Sequence, residues 1–300
     1  MRGALRWLAI ANPAAGQRGT AVRVGESLLR EGRIRRLAVT RAPGDAARIA
    51  RDAGEDGDMD GIIAIGGDGT TFEILAGLDR DRHVLALIPV GHGNCLARDL
   101  GFVDVRLARA ALEAPDTASL VAIDLMDVAV TGADATVTRR LGACTFAAGY
   151  VADVAETGRR RLPALGRAAY AVASTFTRPR PLRVVLTLDG LDVTIGDCTG
   201  VVVNNTAHLA NFRALPAARL ADGLLDVMGL GAGWPRQVSH NACILTRSTL
   251  VPPALLTQAA RARLVFDAPR TVMLDGEFLP RTAAVEIGVL TRACRVVGAR

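Results

Sequence analysis

Residues 61–70 read GIIAIGGDGT, and this stretch decides the fold. GIIAI is short and wholly apolar, the composition of a strand buried on both faces. Gly66 and Gly67 end it, and TTFEILAGL resumes as a helix. A buried strand that closes on glycines and feeds a helix is half of a βαβ unit. The same rhythm repeats outward. LRWLAIA (5–11) is strand-like, is broken by NPAAG (12–16), and leads to a helical stretch ending near Arg30. IRRLAVT (34–40) is a second strand and residues 45–53 a second helix. VLALIPV (84–90) is a fourth strand, and the GHGN turn (91–94) opens the helical CLARDLG (95–101). The alternation predicts an α/β domain with a parallel, doubly wound sheet.

Near Val121 the pattern changes. SLVAIDLMDVAVTGADATVTRRLGACTFAAG (119–149) predicts antiparallel strands with a turn at GAD. PLRVVLTLDGLDVTIGDCTGVVVNNT (181–206) predicts a hairpin turning at Asp189-Gly190. LLDVMGL, ARLVFDA and AAVEIGV add strands, and residues 153–177 read as helical. The expectation is an α/β domain over 1–122 and a mainly antiparallel β-sandwich over 123–284, with strands at about 285–300 returning to the first domain.

The 300 residues contain no lysine, so all 36 basic residues are arginine. That excludes a Walker loop, a protein kinase and Schiff-base chemistry, each of which needs a lysine amine. Glutamate is scarce, eight against 22 aspartates, which draws attention to any Glu inside a motif. The net charge of +6 suits phosphates or an anionic membrane, and no nucleic-acid motif accompanies it, so no nucleic-acid partner is expected. No run of about 18 apolar residues predicts a spanning helix. The opening RGALRWLAIANP reads as a first strand rather than a signal peptide. Five scattered cysteines (95, 144, 198, 243 and 294) without a CxxC fit a reducing cytoplasm.

Three glycine turns fall at successive strand ends: Asn12-Pro13-Ala14-Ala15-Gly16, Gly66-Gly67-Asp68-Gly69-Thr70, and Gly91-His92-Gly93-Asn94. Strand C-termini are where open α/β sheets bind ligands, and such turns present N–H groups to phosphate oxygens. Asp68 could hold a Mg²⁺, polarise an acceptor hydroxyl, or cap the following helix. Glu73 either orients a loop or makes a helix-surface contact.

These residues carry a resemblance. The sequence resembles the bacterial lipid kinase family related to diacylglycerol kinase catalytic domains and to sphingosine and ceramide kinases. NPAAG matches the family's Asn-Pro-x-x-Gly, GGDGTTFEILAGL its Gly-Gly-Asp-Gly-Thr stretch, and PVGHGNCLARDLG its third loop. PAARLADGLLDV (216–227) matches Asp-Gly-x-Leu-Asp, and LDGE (274–277) the late Asp-Gly-Glu. The resemblance implies ATP on Asn12, Pro13, Ala14, Ala15, Gly16, Thr40, Gly66, Gly67, Asp68, Gly69, Thr70, Thr71, Phe72, Glu73, His92 and Asn94. It implies Mg²⁺ on the Arg219 carbonyl, Asp222 and the Leu224 carbonyl. It also implies catalytic carboxylates in the Asp-Gly-Glu turn. There Glu277 is the expected base, Asp275 binds Mg²⁺ or tunes Glu277, and Asp68 is the rival base. On residues alone, Asp222-Gly223 and LDGE also read as plain turns.

Two positions depart from the family. His92 stands where a threonine is usual, offering an imidazole to the phosphates, and Cys95-Leu96 replaces the Asp-Phe of many diacylglycerol kinases. His83, His208 and His240 read as structural or surface residues. The expected activity is ATP-dependent phosphorylation of a lipid alcohol, diacylglycerol first, in phospholipid biosynthesis. Alternatives are a sphingosine/ceramide-type lipid kinase, an NAD-kinase-like enzyme, or a non-catalytic nucleotide- or lipid-binding protein. The expected location is cytoplasmic with peripheral membrane contact, through Arg159, Arg160, Arg161, Leu162, Leu165 and Arg167. A homodimer is the expected form of any self-assembly.

Overall fold

The computed structural model describes all residues except 1–4, 18, 92, 114–119, 163–167, 196, 210–211, 216, 233–252 and 300. His92, Leu165, Arg167, Pro216, His240 and Cys243 therefore lie outside the described residues. Two units are distinct: Met1–Ile123 with Arg292–Arg300, and Asp124–Thr291.

The first unit begins β1 (Trp7–Ala11), α1 (Thr20–Arg30), β2 (Arg36–Val39), α2 (Asp45–Asp56), β3 (Gly61–Gly66) and α3 (Asp68–Gly77). It continues through β4 (Val84–Pro89), α4 (Cys95–Asp99) and α5 (Val105–Glu113). β1 pairs in parallel with β2 and with β3, and β3 with β4, giving the order β4-β3-β1-β2. Every residue of β1, β3 and β4 is buried, as continuous apolar runs require of a sheet covered on both faces. β2 is the edge strand and carries Arg36 outward.

Elements of the second unit are β5 (Leu120–Gly132, from Asp124 onward), β6 (Val137–Gly142), β7 (Thr145–Gly149), α6 (Tyr150–Arg161), α7 (Ala168–Phe176), β8 (Val184–Leu188) and β9 (Leu191–Val193). After these come β10 (Cys198–Asn204), β11 (His208–Leu209), β12 (Phe212–Arg213), β13 (Leu225–Gly231), β14 (Leu255–Ala259), β15 (Arg261–Leu274) and β16 (Glu277–Val297). Its pairings are antiparallel: β5–β6, β7–β10, β10–β13, β13–β14, β7–β15, β8–β15, β8–β9 and β15–β16. Alternate side chains of β5, β7, β8, β10, β13, β15 and β16 enclose one core around Phe146, Val203, Val227, Leu264 and Val285. From Arg292 onward β16 belongs to the first unit, where Arg295 and Val296 pair in parallel with Val84 and Leu85 of β4.

The expected fold class is what the structure has, a parallel α/β unit and a largely antiparallel β unit. The stretch 153–177 is helical as expected over its described part, in α6 and α7. Asp189 and Gly190 both have positive φ between the paired Leu188 and Leu191, the two-residue turn that Asp-Gly predicts. The described cysteines are buried and none forms a disulfide, and His83 is fully buried. Among the described residues no helix is long and apolar enough to cross a membrane.

Candidate functional site

The three glycine turns meet in the first unit because β1, β3 and β4 are neighbours in register and end at one side. Asn12 ties two of them together. Its Nδ2 donates to Thr70 Oγ1 (3.0 Å), its Oδ1 accepts from Ala14 N–H (2.9 Å), and its own N–H donates to the Ile65 carbonyl (3.1 Å). Gly16 (φ 65°) lies against the third turn, where an added Cβ would sit 2.0 Å from the Val90 carbonyl oxygen. A Cβ on Gly91 would sit 2.5 Å from Gly67 Cα. Glycine at these positions lets three backbones approach as side chains would forbid. Gly16→Ala combines that clash with a left-handed backbone, and is expected to cost about 2–4 kcal/mol. Denaturant melts check it, and an unchanged midpoint contradicts it.

α3 starts directly after Gly67 with no side-chain cap, so its first N–H groups are open to an anion. Asp68, the first residue of α3, does not cap its own helix. Its Oδ1 accepts the Cys95 N–H at the start of α4 (2.8 Å). Burial pushes the Asp68 carboxyl above the ordinary carboxylate range, opposed by the N–H groups of Cys95 and Asn94, the Cys95 thiol and the Arg98 charge. Glu73 Oε2 accepts the Gly44 N–H (3.0 Å), so it holds the loop that follows β2. In that loop Thr40 is buried and donates its N–H to the Ala11 carbonyl (3.0 Å).

The remaining candidates belong to the second unit. Asp275 and Gly276, with φ of 51° and 87°, make the tight turn between Leu274 and its partner Glu277. Both Asp275 carboxylate oxygens are engaged. Oδ2 accepts the Ala143 N–H (2.6 Å), and Oδ1 accepts those of Cys144 (2.9 Å) and Thr145 (2.7 Å). Glu277 is exposed, and the next residue, Phe278, carries the Arg159 guanidinium 4.3 Å above its ring centroid.

Asp222 is exposed, and its Oδ1 accepts the Leu224 N–H (3.1 Å). Buried Asp124 braces this loop, donating its N–H to the Leu220 carbonyl (2.6 Å) and accepting the Gly223 N–H on Oδ2 (2.7 Å). Asn205 Nδ2 donates to the carbonyls of Asp124 (2.8 Å) and Ala143 (3.1 Å), which connects the loop to the segment Asp275 holds. The sequence reading missed Asp124 and Asn205. The available signal was an acid inside the apolar LVAIDLMDVAV and an Asn pair closing VVVNN. Among the described residues no three His, Cys, Asp or Glu side chains converge as a metal site. Arg219, Asp222 and Leu224 lie in the segment between β12 and β13, and Asp222 is the one acidic side chain of the three.

Burial pushes the Asp226 carboxyl up to about 6, the Asp222 charge adds to this, and Gln258 Nε2, 3.3 Å away, opposes it. A raised carboxyl favours the protonated folded form. Its contribution to stability is full below about pH 4 and is lost as pH rises through about 6. Asp226→Asn is expected to remove that loss, gaining up to about 3 kcal/mol at pH 7.5 and nothing at pH 4. Urea melts across this range test it, and a variant that follows the wild type at every pH refutes it.

Residues 6–128 match the diacylglycerol kinase catalytic domain family. The chain is 28% identical over 232 residues to a diacylglycerol kinase of Mycobacterium tuberculosis (strain H37Rv), covering 73% of this chain and 71% of the relative. It is 27% identical over 256 residues to a diacylglycerol kinase of Bacillus subtilis (strain 168), covering 80% and 78%. A Bacillus anthracis crystal structure named as a diacylglycerol kinase superposes with a TM-score of 0.73 at 21% identity, over 98% of this chain and 96% of the other, and shows the same fold. The resemblance to the bacterial lipid kinase family is borne out, and the chain carries a diacylglycerol-kinase-like catalytic domain.

Proposed function

We propose that the protein is an ATP-dependent lipid kinase that phosphorylates the hydroxyl of a lipid alcohol, with diacylglycerol as the first acceptor. The observation that carries this reading is the convergence of three glycine turns on Asp68, within a stretch that matches diacylglycerol kinase catalytic domains. The open N–H groups of α3 and the glycine turns bind the phosphate chain, and Asn12 fixes the first turn against the second. Glu277 takes the proton of the acceptor hydroxyl late in transfer, as an exposed carboxylate on a rigid turn can. Asp275 acts through its backbone bonds, by shaping the turn that presents Glu277. A Mg²⁺ at Arg219, Asp222 and Leu224 would neutralise charge and fix that loop, which Asp124 already braces.

Access to lipid is by peripheral contact with an anionic membrane. The exposed end of α6 supplies Arg159, Arg160 and Arg161, of which Arg160 also pairs with Glu156 at 3.3 Å. Exposed Tyr170 and Phe176 on α7 offer aromatic surface in the same unit. The test is transfer of radiolabelled phosphate from ATP to a panel of diacylglycerol, sphingosine, ceramide and other lipid alcohols in mixed micelles, with NAD as the soluble acceptor. Label in diacylglycerol supports the reading, and label in a sphingoid lipid reassigns the acceptor. Label in NAD alone, or in nothing while ATP still binds, overturns it.

A further inference from the structure

Arg98 has no role in the reading so far, yet its side chain is placed unusually. It lies in the last turn of α4, where arginines ordinarily serve the helix's own final carbonyls. Here it curls back toward the start of the helix, and its Nε–H donates to the Gly93 carbonyl of the third glycine turn (3.0 Å). The guanidinium is half-buried there, and its charge is felt at Asp68. Among the described residues it forms no ion pair, and its two Nη groups make no hydrogen bond. A Cβ on Gly93 would come within 2.5 Å of Asp68 Oδ2, so Asp68, Gly93 and Arg98 form one cluster beside the Gly67–Gly91 contact. A fixed cation with an unused donor fork at converging glycine turns matches a phosphate group, which Arg binds through two parallel N–H bonds. With no lysine in the chain, arginine alone among side chains can supply that fixed charge.

We propose that Arg98 binds the phosphate chain of the nucleotide at the glycine turns. Its Nε is anchored to Gly93, and its Nη groups face the anion. This rests on the nucleotide-binding reading above. The test measures binding of ATP, inorganic tripolyphosphate and adenosine by calorimetry to the full-length wild type, Arg98→Gln and Arg98→Lys, with a thermal melt of each. Arg98→Gln is expected to weaken ATP and tripolyphosphate by roughly tenfold to a hundredfold and to leave adenosine within about twofold. Arg98→Lys, which keeps charge without the fork, should fall between. Wild-type affinity for both anions in Arg98→Gln overturns the proposal. So does a loss of adenosine binding in proportion to ATP, which would make Arg98 a structural prop. If the wild type binds tripolyphosphate through Arg98 but neither ATP nor adenosine, the anion role stands and the nucleotide reading falls. If it binds none of the three, both fall.

Discussion

Asp275→Ala is expected to destabilise the second unit by about 3–5 kcal/mol. Three backbone N–H groups, of Ala143, Cys144 and Thr145, lose their acceptors at once. Each partly buried donor left without a partner costs about 1 kcal/mol or somewhat more. Alanine must also hold a φ of 51°, a region where aspartate is tolerated and alanine is strained by about 1 kcal/mol. Asp275→Asn keeps one carbonyl oxygen and tolerates the same backbone, so it should lose about half as much. Urea denaturation followed by circular dichroism measures both, and an alanine variant with the wild-type midpoint would refute the account. Lost activity in Asp275→Ala does not assign chemistry to Asp275, because its turn carries Glu277 into the first position of β16. Only a variant that keeps the turn and changes the oxygen can do so.

The fold was legible where local composition sets the structure. GIIAI and VLALIPV are apolar throughout because β3 and β4 are covered on both faces, and the glycines after them mark strand ends at one side of a parallel sheet. Asp-Gly announced both two-residue turns, at 189–190 and at 275–276, because both central residues need positive φ. The candidate site was legible as residue types and less so as contacts. Of the roles open to Asp68, the cap of the helix it begins is not the one its carboxylate takes, since it accepts an N–H at the start of a helix 27 residues later. Asp124 and Asn205 are 81 residues apart, and their bond follows from strand order rather than from any local period. Arg98 was legible only as part of the third-loop match, since nothing in a sequence shows that a side chain turns back on the preceding loop. These features depend on pairings that local patterning does not encode.

Glu277→Gln is expected to lower turnover by roughly 10²-fold or more while leaving ATP affinity and stability near wild type. The substitution keeps the shape of the side chain and removes its basic oxygen. Glu277 is exposed at the first residue of β16, so little of the fold depends on its charge. Stability therefore separates it from Asp275, and the kinetic pattern separates it from Asp68. Asp68 sits among the glycine turns, so Asp68→Asn should raise the KM for ATP as well as reduce kcat, whereas Glu277→Gln should act on kcat alone. The pH profile gives a second separation with a definite sign. A base must be ionised to accept a proton, and burial raises the Asp68 carboxyl above the ordinary range. With Asp68 as base, the acid limb of kcat would lie above the usual carboxylate region and vanish in Asp68→Asn. With Glu277 as base, the limb should persist in Asp68→Asn and disappear in the residual activity of Glu277→Gln. Turnover of Glu277→Gln within a few-fold of wild type, with the acid limb intact, would move the base to Asp68 and leave the second-unit turn a structural element.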